Sequence, residues 1–164
     1  MPSKAAAWVR LPSGSLIGMV HVRALPGSPG ASLALPEVVR VAVEEARLLE
    51  SVGFDALIVE NTHDRPYVHG DRLGPETVAA MQAFQSGQFD RVRRLVAAMT
   101  LVTRAVREAV GLPLGVQVLS GGARHAVAVA QAAGGCFIRC ENFVFSHVAD
   151  EGLLTEIAGL VEWP

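Results

Sequence analysis

The sequence predicts a parallel α/β fold of about four βα units. Three observations carry this. Four short runs, at residues 16–22, 54–60, 113–119 and 136–142, read as strands, and the second lacks clean alternation, as strands covered on both faces do. Helical patterns separate them, and the order β-α-β-α-β-α-β calls for a parallel sheet with right-handed crossovers. Polar residues collect where the apolar runs end, the edge at which such folds bind ligands.

The first run ends at His21 and passes into a Pro/Gly-rich turn at residues 24–30. Residues 36–52 form an amphipathic helix, with Pro36 in its first turn and Val39, Ala42, Val43, Ala46 and Leu49 as an apolar stripe. Gly53 stops it. The second strand, residues 54–60, runs into Glu60 and Asn61. Residues 62–74 then carry His63, Asp64, Arg65, Tyr67, His69, Asp71 and Arg72. That loop exceeds the roughly two to six residues of an ordinary βα connection, so it reads as a binding loop.

Pro75 opens a helical pattern that extends to Val110 with one interruption. Val78-Ala79-Ala80-Met81 recurs as Val96-Ala97-Ala98-Met99, and Gln85-Ser86-Gly87-Gln88 between them is a poor helix interior. Residues 82–99 read as an insert of about five helical turns, or the repeat is a coincidence in an Ala/Val-rich chain. The third strand, 113–119, is followed by the turn Ser120-Gly121-Gly122, a helix over 125–133, and a fourth strand over 136–142. Residues 143–164 offer one weak helix around 153–160 and no further strand. Four units make either an open sheet or half of an eight-stranded barrel.

The chain has 164 residues, 51% hydrophobic and 18% charged, with net charge −2, the profile of one soluble domain. No basic cluster offers a face for nucleic acid, and no apolar run reaches the ~18 residues that span a bilayer. The first ten residues lack the apolar core of a secretory signal, which favours the cytoplasm. The absence of acidic residues before Glu37 leaves room for mitochondrial import. Cys136 and Cys140 lie about 13 Å apart if both sit in one strand, at ~3.3 Å per residue, too far for a mutual disulfide.

Several segments together resemble the BtpA family. They are Gly18-Met19-Val20-His21 with Leu25-Pro26-Gly27-Ser28-Pro29, Ile58-Val59-Glu60-Asn61 with Asp64 and Pro66, Pro75 to Met81, Gly115-Val116-Gln117-Val118-Leu119, and Phe137-Ile138-Arg139. The resemblance implies a partial TIM (β/α)8 barrel of the ribulose-phosphate-binding type, here its first half. It implies a single domain over residues 1–164, with the insert at 82–99 and a divergent tail at 154–164. It implies a link to photosystem I biogenesis in cyanobacteria and to sugar metabolism in other bacteria, with no reaction attached. Family members continue for about four more βα units, so this chain reads as a truncated form.

In such a barrel the strand ends converge on one mouth. His21 and Glu60 are the acid/base candidates, and Asn61, Asp64, Gln117, Arg139 and Asn142 the substrate-binding candidates, with Arg139 suited to an anionic group. Glu141 also falls at a strand end. Neighbours on a strand point to opposite faces, so at most one of Glu60 and Asn61 looks into the mouth. No spacing supports a metal, and the sequence leaves the cofactor unknown. Ser120-Gly121-Gly122 offers backbone N–H groups to an anion, but is neither a P-loop nor GxGxxG and reads more simply as a turn. The expected partners are a small molecule and, through open sheet edges, a second copy. The competing functions are an enzyme acting on a small sugar-like or phosphorylated metabolite, a non-catalytic assembly or stability factor, and an inactive fragment.

Overall fold

The computed structural model describes residues 9–67, 91–150 and 152–155. Four strands, β1 (Ile17–His21), β2 (Ala56–Glu60), β3 (Leu114–Gln117) and β4 (Phe137–Ile138), form one parallel sheet in the order β1-β2-β3-β4. Among the described residues, β1 and β4 are edges and the sheet does not close into a barrel. The order never reverses, unlike that of a doubly wound sheet.

Between the strands run α1 (Leu35–Ser51), α2 (Arg91–Ala109) and α3 (Ala123–Ala133). Pro36 sits in the first turn of α1, where its missing N–H costs nothing, and Val38, Ala42 and Ala46 are its buried stripe. On the opposite side Arg40 pairs with Glu37 and Glu44 in solvent. The helix C-cap of α3 is Gly134 at φ 82°, a left-handed position that glycine occupies without strain.

The core lies between the helices and one face of the sheet. Val20, Val59 and Val116 share one row of the register, and Leu57 pairs with Leu114. These pack against Val38 and Ala42 of α1, Met99, Val102 and Val106 of α2, and Ala126, Val129 and Ala130 of α3. Period-2 alternation puts Met19, Ile58, Gly115 and Phe137 on the opposite face. Gly115 is required there: a Cβ would stand 2.3 Å from the Phe137 ring.

Residues 82–90 of the expected insert lie outside the described residues, whereas 91–99 belong to α2, where Ala98 and Met99 are buried. Removing 78–95 leaves the same joined sequence as removing 82–99, because the Val-Ala-Ala-Met segment stands at both ends. The second copy packs in the core, and the first lies outside the described residues.

Two expectations are corrected. The fourth strand is two residues long, not seven, since an edge strand is held from one side only; the chain then bends, with Asn142 at φ 54°. Beyond it, β5 (His147–Ala149) and β6 (Gly152–Leu154) pair as an antiparallel hairpin where no strand was expected. Gly152, at φ 114°, favours the reversal after Asp150 and puts Leu153 and Leu154 in a strand rather than a helix. Residues 156–164 lie outside the described residues.

Candidate functional site

The carboxyl ends of the first three strands are in register. His21 pairs with Glu60 and Glu60 with Gln117. The N–H of Arg139 donates to the Val116 carbonyl at 3.1 Å, carrying the ladder one step past Ile138 and setting Arg139 beside Gln117. A row of one histidine, one carboxylate, one amide and one guanidinium thus crosses the sheet on the face away from the helices.

Within this row the middle is dry and the flanks are wet. His21 and Arg139 are exposed, while Glu60 is 7% and Gln117 1% exposed. Burial pushes the Glu60 carboxyl above its ordinary value. The positive charges of Arg139 and His21 oppose that rise, and the Glu141 carboxylate adds to it. The Gln117 Oε1 atom accepts no hydrogen bond from the described residues. A buried carboxyl poised upward, next to an unpaired acceptor and between two cationic or ionisable groups, can exchange a proton with a ligand that the flanks orient.

Asn61 and Asp64 are placed differently. Asn61, one residue past Glu60, is buried, and its Oδ1 accepts the Leu119 N–H at 2.8 Å. Asp64 Oδ1 accepts the Leu25 N–H and the Ser28 hydroxyl, both at 2.7 Å, and its Oδ2 accepts from Asn61 Nδ2 at 3.5 Å. These two side chains tie the loops after β1, β2 and β3 together behind the polar row. Asn142 lies beyond the strand, where its Nδ2 donates to the Leu154 carbonyl at 2.9 Å and meets His147 Nδ1 at 2.8 Å. It holds the hairpin.

That hairpin roofs a cleft of about 320 Å³, lined by Tyr67, Leu119, Ser120, Glu141, His147 and Asp150 among others. Glu141 enters it with Oε2 accepting the N–H groups of Ser120 (3.0 Å) and Gly121 (3.3 Å). Tyr67 is steadied by donating its hydroxyl proton to the Thr62 carbonyl at 2.7 Å. The sequence named Glu141 but gave no sign of Tyr67 and His147 as neighbours. The turn signal Asp150-x-Gly152 could have found the hairpin that unites them.

Among the described residues, no group of three or more His, Cys, Asp or Glu converges to hold a metal, and no helix is long and apolar enough to cross a membrane. Cys136 and Cys140 are free, and burial raises the Cys140 thiol.

The BtpA family matches residues 13–91 and 88–161. The chain belongs to the BtpA family. Its relatives include an uncharacterised mitochondrial protein of Caenorhabditis elegans, 40% identical over 146 residues, covering 88% of this chain and 47% of the relative. An uncharacterised protein of Archaeoglobus fulgidus is 37% identical over 147 residues, 90% of this chain and 51% of that one. The photosystem I biogenesis protein BtpA of Synechocystis is 33% identical over 139 residues, 85% of this chain and 42% of its own length. The chain spans about half the length of the curated relatives it matches. No solved structure matches it.

Proposed function

We propose that this chain carries the first half of the ligand site of a BtpA-family enzyme built on a (β/α)8 barrel, acting on a small sugar-like or phosphorylated metabolite. The observation that carries the reading is the register row His21–Glu60–Gln117, extended by Arg139, with its buried carboxyl and unpaired amide oxygen. Glu60 is the proton-exchanging group and His21 its partner at the rim. Gln117 takes a hydroxyl hydrogen of the ligand, and Arg139 holds an anionic substituent. Asn61, Asp64 and Asn142 act on the ligand through the loops they position. The sequential strand order with helices on one face supports the barrel, since a second set of four units would cover both open edges. The two family matches, which meet at residues 88–91, support an insert in that stretch. The mitochondrial relative supports import into that organelle as a location for this chain.

A non-catalytic assembly role, which the name of the Synechocystis relative favours, makes the opposite demand on the same residues. The test is a ligand and turnover screen of the complete protein against phosphorylated sugars, with His21→Ala and Glu60→Gln alongside. An enzyme loses turnover in both variants while keeping its unfolding transition. If both variants retain every function of the wild type, the acid/base reading is wrong and the assembly role stands.

A further inference from the structure

Glu141 occupies a place where one would look for a ligand. Ser120 and Gly121 both have positive φ, 69° and 71°, and both N–H groups converge on a single carboxylate oxygen, Glu141 Oε2. The turn leads directly into the eleven-residue helix α3, whose N-cap, Gly122, has no side chain to cap it, so the partial positive charge of the helix end is open to an anion. An independent feature points the same way. Ser120 is 3% exposed and lines the cleft, yet its hydroxyl has no hydrogen-bond partner among the described residues. A buried hydroxyl beside two convergent N–H groups is a third donor awaiting an acceptor, and the single carboxylate oxygen already there does not use it.

We propose that the Ser120–Gly121 turn is a binding site for the phosphoryl group of a small metabolite, held closed by the Glu141 carboxylate until the ligand displaces it. Two backbone N–H groups and one hydroxyl match the oxygens of a phosphoryl group, which carries more charge and more acceptors than the carboxylate it replaces. Glu141 lies three residues beyond β4, on the segment leading to the hairpin, so its release does not require the sheet to move. The inference rests on the reading of the strand ends as a ligand site and adds to it a second anion-binding position, for a phosphoryl group, distinct from the one assigned to Arg139. It does not depend on proton transfer at Glu60.

The experiment is a titration of the 164-residue chain with inorganic phosphate, followed through the amide NMR signals of Ser120 and Gly121, with chloride at equal ionic strength as control. Phosphate is expected to move both signals in the wild type. Glu141→Gln is expected to tighten binding about tenfold by removing the competing charge, and Ser120→Ala to weaken it severalfold. Alanine in place of Ser120 leaves the backbone demand at φ 69° unchanged, so its effect reports the hydroxyl. The proposal is overturned if phosphate moves the two amides no more than chloride does in both wild type and Glu141→Gln, or if the two variants bind phosphate as the wild type does. Neither result bears on turnover, so failure here leaves the acid/base assignment standing.

Discussion

Glu60 and Asp64 are both buried carboxyl groups at the end of β2, four residues apart, and the fold treats them oppositely. Asp64 accepts hydrogen bonds from Leu25 N–H and the Ser28 hydroxyl, so its charge is used to hold the loop after β1. Glu60 sits on the face away from the helices, where burial disfavours its charge. At a strand end, chemistry and architecture are told apart by how the buried carboxyl is paired. A carboxylate met by several donors, here one backbone N–H, one hydroxyl and one side-chain amide, stabilises the fold, and one buried beneath an open face with its charge disfavoured is a candidate for chemistry.

The largest effect should come from removing the architectural member. Asp64→Ala leaves the buried Leu25 N–H without its acceptor and is expected to cost about 3 kcal/mol in urea unfolding. A cost near zero would mean the loop does not depend on this tie. Gly115→Ala should follow, at about 1–3 kcal/mol, because the new methyl meets the Phe137 ring. Pairing it with Phe137→Leu should recover most of that loss, and a strictly additive double variant would show that the two do not touch. The smallest effect belongs to His21→Ala. The side chain is exposed, so unfolding should be unchanged even where the acid/base role proposed for His21 is lost; a large loss of stability would move His21 into the architectural class.

Much of this arrangement could be read from the chain. The apolar runs at residues 16–22, 54–60 and 113–119 located three strand ends, although β3 stops at Gln117, two residues before the run does, and parity separated Glu60 from Asn61. Periodicity also placed α1, although its buried stripe includes Val38, which the sequence stripe passed over. What escaped was set by long-range packing. Local patterning extended the fourth strand to Asn142, but with β3 as its partner on one side it ends at Ile138, and Glu141 turns back onto the Ser120 and Gly121 amides. Nothing local to Asp64 announced that its acceptors would be taken by residues 36 and 39 positions away. The hairpin over the cleft was hidden by its shortness: three-residue strands carry too little alternation to register, and only Gly152 marked the reversal.

The most direct test is to measure Glu60→Gln and Asp64→Asn side by side by urea unfolding across pH 4 to 8. A carboxyl whose folded value is raised binds more protons folded than unfolded, so its penalty is absent below the ordinary carboxylate range and grows as pH rises through the folded value. Glu60→Gln is expected to match the wild type near pH 4 and to become the more stable of the two as pH rises toward 8, while Asp64→Asn is expected to be less stable than the wild type at neutral pH. If Glu60→Gln is instead destabilised at neutral pH to the same degree as Asp64→Asn, Glu60 is a second structural tie and the polar row is not a site held ready for a ligand.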